Sequence, residues 1–382
     1  MTVSTLLPTA PHHTAPAVTP EGVAALARRS GPAVEDARRL TPELAGALSE
    51  AGFARHFVPR RWGGTAGTFR ALVAGTATVA EGCAATAWCG ALYAAHGRLA
   101  AYLPEAGQRE LWGASPDVRI AAAVVPPSGT AVRVGEGWRL SGEWTYASGV
   151  DHAHWVLLAS RVAGAEIRIF ALPRAQFEIR DTWRTLGLRG TGSNTVVVRD
   201  AFVPDRLTLT QSDLGTVRSD VARCHRVPFP LVAQLQFAAP ILGAAQGARQ
   251  IWAQTAARRV RADGQLTAQT AAGQQVLARA AGEIQAARLL LEGAAARADD
   301  GVVTPLAIAE NQRDCALAAE LAVAAVDRLF RAGGAAGQAD GDPVQRHWRD
   351  VTAAAGHAAL RFETAAAAYS AVELSGLGRS AD

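Results

Sequence analysis

The chain has 382 residues, which is long for one hydrophobic core and suggests two or three packed domains. Hydrophobic residues make up 49% of the sequence and charged residues 19%, a balance that excludes an intrinsically disordered protein. The formal net charge is only +4, and the arginines form no stripe interleaved with aromatic residues, so the sequence indicates no nucleic-acid surface.

The first 20 residues are rich in proline and lack the charged start and apolar run of a signal peptide. No apolar segment of about 20 residues occurs, so we predict no membrane contact and a cytoplasmic location. We interpret residues 1–20 as a disordered tail. The four cysteines form no CxxC pair and are predicted to be isolated buried thiols: Cys83, Cys89, Cys224 and Cys315.

Residues 21–115 have a helical pattern. "TPEGVAALARR" and "TPELAGALSEAGF" each begin with Thr-Pro, in which threonine suits the N-cap and proline the first helical position. The alanine-rich stretch that begins at Phe69 is apolar on nearly all sides, which is typical of helices buried between other helices. We therefore predict an N-terminal helical domain.

Residues 116–212 are rich in Val, Ile, Trp and Thr, with glycine or proline every eight to twelve residues. This pattern predicts a small antiparallel sandwich or barrel, with "GEGW" as a hairpin turn. Residues 213–382 contain four long periodic segments with short connections, which predict a four-helix bundle.

The β region contains the sequence "WTYASG". In a regular strand, Trp144, Tyr146 and Ser148 share one face, where two aromatic rings could hold a planar ligand and a hydroxyl could bond its edge. The alternative is that all three belong to the core of a sandwich.

The stretch "LGLRGTGSNTVVV" places Gly187, Gly190 and Gly192 just before a second β run. Glycines at such positions allow the backbone to approach a ligand closely. No helix follows the stretch, so it is not a dinucleotide-binding fingerprint. Beside an aromatic strand it favours a site for a planar ligand.

The order of helices, sheet and bundle, together with the "W-x-x-x-SG" strand, "GLRGTGSNTVVV…FVP" and "PVQRHWRD", resembles the acyl-CoA dehydrogenase superfamily over residues 21–378. Phrases such as "GFARHFVPRRWGG", "AAYLPEAGQRELW" and "CALAAELAVAAVDRLF" resemble its reduced-flavin-dependent, group D two-component monooxygenases, in particular the aromatic polyketide hydroxylases. The resemblance implies an α+β, acyl-CoA dehydrogenase-like fold with an N-terminal helical domain, a central antiparallel β domain and a C-terminal four-helix bundle.

The resemblance also implies a flavin site. Trp144, Tyr146 and Ser148 would line the isoalloxazine, with Ser148 near its N5/C4a edge. Four loop residues would lie along the flavin: Gly190, Thr191, Gly192 and Ser193. A second group would act at the flavin phosphate or from a neighbouring subunit: Arg258, with Arg259 and Arg261 as competitors, Gly333, Gly334 and Gln345.

Two histidines are candidate catalytic residues beside Ser148. The region where dehydrogenases of the superfamily place a catalytic glutamate contains His357, and the next acid, Glu363, lies about 240° away if both are on one helix. An imidazole can take a proton from a phenol, so we predict His357 as a general base. His96 is predicted at the substrate pocket, and both histidines have structural alternatives. No metal is predicted, because His152 and His154 have no third ligand.

The resulting functional prediction is an oxygenase component that receives FMNH2 or FADH2 from a separate NAD(P)H:flavin reductase. It would use O2 through a C4a-hydroperoxide to hydroxylate a small aromatic or phenolic substrate, polyketide-like or indole-like, in secondary metabolism such as antibiotic biosynthesis. The alternatives are N-oxygenation of an amine or amino sugar, an acyl-CoA dehydrogenase, and a non-catalytic relative. The resemblance implies a homotetramer, with a dimer as second choice.

Overall fold

The computed structural model describes residues 18–215 and 221–377. Of the predicted tail, residues 1–20, residues 1–17 lie outside the described residues. The first helices are α1 (Pro20–Ala37), α2 (Pro42–Glu50), α3 (Phe69–Ala80), α4 (Ala84–Ala100) and α5 (Glu105–Trp112).

The two Thr-Pro starts are helix starts in the structure. The Gly22 N–H donates to Thr19 Oγ1 at 3.3 Å, and the Leu44 N–H donates to Thr41 Oγ1 at the same distance. Each threonine therefore satisfies an N–H group that has no partner within its own helix.

The alanine-rich stretch folds into two helices, because the chain turns between α3 and α4. A Cβ atom on Gly82, at this turn, would lie 2.2 Å from the Ala24 carbonyl oxygen of α1. All 17 residues of α4 are buried, as its apolar pattern predicts. This helix packs on α3, α8 and α11 and on the first strand, so it lies between the β region and the C-terminal helices.

The β region has eight strands: β1 (Ile120–Ala123), β2 (Thr130–Val134), β3 (Gly137–Ala147), β4 (Trp155–Arg161), β5 (Ile167–Pro173), β6 (Glu178–Arg180), β7 (Asn194–Pro204) and β8 (Thr208–Thr210). They form two sheets with orders β1-β4-β5-β8 and β2-β3-β7-β6, and one hydrophobic core contains residues of both. The "GEGW" turn joins β2 to β3, and Gly135 in it has φ +55°. One pair, β1 with β4, is parallel, because β2 and β3 of the other sheet intervene between them in the chain.

The C-terminal helices are α6 (Arg223–Arg226), α7 (Phe229–Val232), α8 (Leu235–Ala256), α9 (Ala271–Asp300), α10 (Pro305–Ala332), α11 (Pro343–Ala355) and α12 (Phe362–Leu377). The last predicted segment is interrupted, because α11 ends before Gly356 and a 3-10 turn (Ala358–Leu360) precedes α12. The four cysteines are buried and unpaired. Within the described ranges, no helix has both the length and the hydropathy needed to cross a bilayer.

Candidate active site

A chain of hydroxyl groups lies where α4 meets the β region. The Trp88 Nε1–H donates to Ser148 Oγ at 3.2 Å, and Ser148 Oγ lies 2.7 Å from Ser193 Oγ. Ser193 Oγ is 2.6 Å from Thr191 Oγ1, which donates to the Leu188 carbonyl at 2.9 Å. The structure therefore brings three of the predicted residues together and links them to Trp88, a residue that no sequence pattern indicated.

An aromatic wall adjoins this chain. The imidazole of His357 stacks on Phe237 with ring centroids 3.8 Å apart, and it meets Trp88 edge-on at 5.8 Å. Phe237 also contacts Trp88, with ring centroids 5.3 Å apart. Trp88 thus contacts both His357 and Ser148. His357 lies at the boundary of the β region and the C-terminal helices.

The environment of His357 is apolar. Burial lowers the pKa of its imidazole from 6.5 to about 4, and no charged group of the described residues contributes to that shift. Its side chain caps the 3-10 turn, with the Ala359 N–H donating to Nδ1 at 3.2 Å. Glu363 is exposed and belongs to α12, so the expectation that both residues share one helix is wrong. No carboxylate takes the place of the imidazole in the described part of the chain.

His96 lies two turns along α4 from Trp88 and is 6% exposed. Its Nδ1 lies 2.8 Å from the Ile120 carbonyl oxygen of β1. Burial lowers the pKa of this imidazole to about 4, so the ring is neutral near neutral pH. Both candidate histidines are therefore uncharged rings with one nitrogen fixed by the backbone.

The prediction that Trp144, Tyr146 and Ser148 share one face is wrong. Trp144 is 1% exposed, and its Nε1–H donates to the Ala159 carbonyl of the opposite sheet at 2.8 Å, so it belongs to the core between the sheets. The pairing of β3 with β7 shifts between Trp144 and Ala147, and Tyr146 has φ +67°. This irregularity turns Tyr146 outward, where it is 64% exposed.

Close packing against neighbouring residues requires glycine at several positions of the glycine-rich loop, whether or not a ligand approaches it. A Cβ on Gly187 would lie 2.0 Å from the Arg349 carbonyl oxygen of α11, and a Cβ on Gly190 would lie 2.1 Å from Val34 of α1. At Gly192 it would lie 2.3 Å from a carboxylate oxygen of Asp151, and the φ there is +52°. The expectation that these glycines simply expose backbone to a ligand is therefore incomplete.

The motif "PVQRHWRD" holds this loop in place. Asp350 accepts a hydrogen bond from the Leu188 N–H at 2.7 Å, and Arg349 donates to the Leu186 carbonyl at 3.0 Å. Burial raises the pKa of the Asp350 carboxyl to about 6, although the hydrogen bond from Leu188 opposes the shift. The motif therefore positions the loop that carries Thr191 and Ser193.

The residues predicted to act at the flavin phosphate or from a neighbouring subunit lie at one end of the C-terminal helices. The Arg259 guanidinium donates to the Gly333 carbonyl at 2.8 Å, and both residues line a cleft of about 110 Å³. Arg258 is exposed and does not line this cleft, so among the candidate arginines the structure places Arg259 against the predicted glycines. Gly334 has φ +62°, which a glycine adopts without strain.

Gln345 follows the cleft-lining residue Val344 and contacts the arginine that holds the loop. It donates to the Gln338 carbonyl at 3.2 Å and accepts from Arg349 Nε at 3.1 Å. Its position on α11 places it beside the arginine that holds Leu186.

Three aromatic residues of the site were missed: Trp88, Trp183 and Phe237. Trp183 meets Tyr146 edge-on at 6.2 Å, and its Nε1–H donates to the Leu188 carbonyl at 2.9 Å. A signal was present for Trp183, which precedes Gly187, the first glycine of the loop, by four residues. Trp88 and Phe237 lie in apolar helical runs, where sequence alone does not distinguish a ligand contact from core.

Two findings define the class of protein. The family model "Acyl-CoA dehydrogenase, C-terminal domain" matches residues 235–362. The solved 3-HSA hydroxylase from Rhodococcus sp. RHA1 is similar with a TM-score of 0.87 and 30% identity, covering 93% of this chain and 95% of that one. The fold is therefore that of the acyl-CoA dehydrogenase superfamily.

Two relatives narrow the class. The flavin-dependent monooxygenase oxygenase subunit HsaA of Mycobacterium tuberculosis (strain H37Rv) is 33% identical over 343 residues, which cover 86% of this chain and 87% of that protein. The FADH2-dependent resorcinol hydroxylase oxygenase component of Rhizobium sp. (strain MTP-10005) is 31% identical, with 90% of each protein covered. The chain belongs to the family of flavin-dependent monooxygenase oxygenase components. The predicted resemblance, fold class, enzyme class and dependence on reduced flavin are confirmed.

The residues near Ser148 fit a flavin ring. Tyr146 presents an exposed aromatic face, Trp183 contacts it, and the Leu188 carbonyl that binds Trp183 also ends the hydroxyl chain. Aromatic surface beside a row of hydroxyls matches a planar ring system with a polar edge.

Proposed function

We propose that this chain hydroxylates a phenolic substrate with flavin that a separate NAD(P)H:flavin reductase has reduced. The observation that carries the proposal is the neutral imidazole of His357, stacked on Phe237 and in contact with Trp88, which binds Ser148. Reduced flavin, once bound, supplies the electrophilic oxygen after reaction with O2. An aromatic substrate gains affinity from the rings of the wall, which also keep water from the reacting atoms.

The Nδ1 atom of one histidine faces a backbone acceptor and that of the other faces a backbone donor. The two histidines therefore have opposite roles in this proposal. The Ile120 carbonyl can only accept, so the neutral His96 ring has its proton on Nδ1 and a lone pair on Nε2. The Ala359 N–H can only donate, so the neutral His357 ring accepts at Nδ1 and has its proton on Nε2. In this tautomer His357 does not act as the predicted base at Nε2.

We therefore assign the phenol proton to His96 Nε2 and the stabilisation of the resulting phenolate oxygen to the His357 Nε2–H. Loss of the phenol proton makes the ring a stronger nucleophile toward the electrophilic oxygen. The phenolate offsets the positive charge that His96 acquires with the proton, and the neutral His357 donor adds no further buried charge.

The test supplies the chain with FMN or FAD, a flavin reductase, NADH, 18O2 and a series of phenols of decreasing pKa. We expect one labelled oxygen in the product and no product when the reductase is omitted. Hydroxylation with NADH and no reductase would contradict the two-component proposal, and exclusive oxygenation of amines would favour an N-oxygenase.

Two matched variants separate the histidine roles. His96→Asn and His357→Asn each keep a side-chain partner for the backbone group and remove the Nε2 atom. Acidic phenols are already ionised when they bind, so they need no base but still need a donor to the oxygen. We therefore expect them to restore the hydroxylation rate of His96→Asn and not that of His357→Asn. The same response of both variants would contradict the division of roles.

The proposal extends to a homotetramer, with a dimer as second choice, acting on an aromatic polyketide in antibiotic biosynthesis. The separate cleft at Arg259 and Gly333 supports a site completed by another subunit. Sedimentation equilibrium tests the assembly, and a monomer would contradict it.

A further inference from the structure

The first half of α8 exposes one small patch. Phe237 is the only residue of 235–248 that is not buried, and Gln234, directly before the helix, is half-buried. Gln234 already has helical backbone angles (φ −81°, ψ −27°), so its side chain lies one turn from Phe237 on the same side of the helix. Phe237 stacks on His357 and contacts Trp88. The patch therefore opens at the aromatic wall, and Gln234 is its polar member.

The side-chain amide of Gln234 is unsatisfied. Its Oε1 is shielded from solvent and has no hydrogen-bond partner, and its Nε2 has none among the described residues either. An acceptor left unpaired in this way costs stability, because it has lost its bonds to water. A leucine of similar size would avoid that cost. An amide at this position is therefore expected to find its partner in a ligand.

The neighbourhood of the wall contains no counter-charge for an ionised ligand group. Burial lowers the pKa of both His357 and His96, and no ionised side chain of the described residues contributes to either shift. A carboxylate or an ammonium group would lose its hydration here without gaining an ion pair. A glutamine amide is neutral and can both donate and accept. The surroundings therefore suit an uncharged polar group.

We propose that Gln234 binds a second, uncharged polar group of the phenolic substrate: a carbonyl, a hydroxyl or an amide. The inference rests on the proposed function, which places the phenolic oxygen at His96 and His357 and the substrate ring against the wall. A substituent that reaches one helical turn along α8 from Phe237, about 4.5 Å, meets the amide of Gln234. Gln234 does not touch the reacting oxygen, so its contribution is to substrate affinity and selectivity.

The experiment compares three phenols whose substituents have nearly the same shape: para-hydroxyphenylacetamide, para-hydroxyphenylacetate and para-isobutylphenol, each also as its meta isomer. A methylene group separates each substituent from the ring, so the phenolic pKa values are similar. Anaerobic equilibrium dialysis of the full chain, with dithionite-reduced FMN present, measures the dissociation constants. We expect the acetamide to bind at least about tenfold more tightly than the acetate, because only the acetate brings an uncompensated charge.

Gln234→Leu removes the amide and keeps the size of the side chain. The affinity for the acetamide, relative to that for isobutylphenol, should fall roughly fivefold to tenfold, which corresponds to the net contribution of one hydrogen bond. The variant also loses an unpaired acceptor. Without ligand it should therefore unfold at the same temperature as wild type or at a higher one, which verifies that it is folded.

Gln254→Leu is the matched control, because Gln254 is an exposed glutamine of the same helix, four turns beyond Phe237. Its relative affinities should equal those of wild type. An unchanged preference in Gln234→Leu, tighter binding of the acetate than of the acetamide in wild type, or no binding of any of the phenols would overturn the inference. Failure of the proposed function has a different signature: the acetamide would bind, and no 18O-labelled product would form from it.

Discussion

The imidazole of His357 stacks on the ring of Phe237, with ring centroids 3.8 Å apart and planes inclined by 24°. The stack lies next to Trp88, and the rings of Phe237 and Trp88 keep water from His357. Desolvation disfavours the imidazolium form, which is why the pKa of His357 is lowered to about 4.

The lowered pKa of His357 predicts a dependence of stability on pH. Between pH 6.5 and about 4, the unfolded chain binds a proton at this residue that the folded chain does not, so the free energy of unfolding falls as the pH falls. His357→Asn removes this contribution and keeps an N-cap side chain. Urea denaturation at pH 7 and pH 5 should show a smaller loss for the variant than for wild type. Equal losses would show that His357 is not desolvated.

Phe237→Ala should admit water to the imidazole. We expect the pKa of His357 to rise toward 6.5. The free energy of unfolding should fall by about 1–3 kcal/mol, less than for a fully buried phenylalanine, because Phe237 is partly exposed. NMR titration of the histidine rings measures the first effect and urea denaturation the second. Phe202→Ala, at a residue 41% exposed in β7, is the control and should leave the His357 titration unchanged.

Asp350 provides a pair of variants that separates its charge from its hydrogen bond. The folded pKa is about 6 and the ordinary value 3.8, so ionisation of Asp350 lowers the stability as the pH rises through that interval. Asp350→Asn still accepts from the Leu188 N–H and should be at least as stable as wild type above pH 6. Asp350→Ala leaves that N–H without its acceptor and should cost about 1–3 kcal/mol. Denaturant midpoints at pH 5 and pH 8 test both, and a less stable Asn variant at pH 8 would refute the account.

Gly187→Ala should destabilise the chain and weaken flavin binding, because its Cβ would lie 2.0 Å from the Arg349 carbonyl oxygen. We expect a loss of more than about 2 kcal/mol, in the range reported for overpacked sites. Gly282→Ala in α9 meets nothing within 4 Å and should gain about 0.5–1 kcal/mol from helix propensity. Thermal unfolding and FMN titration of the pair decide whether the loop glycine is needed for packing.

The sequence contained enough information for the fold, because its signals are local and repeated. Thr19 and Thr41 are recognisable as N-caps from a single dipeptide each, and the uniformly apolar pattern of α4 predicts its burial. The order of the helical and β segments, read from these patterns, then contributed to the resemblance to a known family.

The geometry of the site depended on features that sequence patterns conceal. The strand rule failed at Tyr146, because a tyrosine with positive φ is uncommon and nothing in "WTYASG" announces it. The helix through His357 was predicted as continuous although Gly356 marks its end, a signal that was available. The tautomers of His96 and His357 depend on carbonyl and N–H groups of other residues, which only the folded chain brings to them.

The complete burial of α4 has a consequence for how this scaffold can be redesigned. Each of its 17 positions is already buried, so new side chains there must be accommodated by the neighbouring elements. The turn at residues 356–361 is exposed or half-buried except at Leu360, and through His357 it borders the aromatic wall. A library aimed at new substrates should therefore yield more folded clones when it diversifies the exposed positions of this turn than when it diversifies residues 84–100.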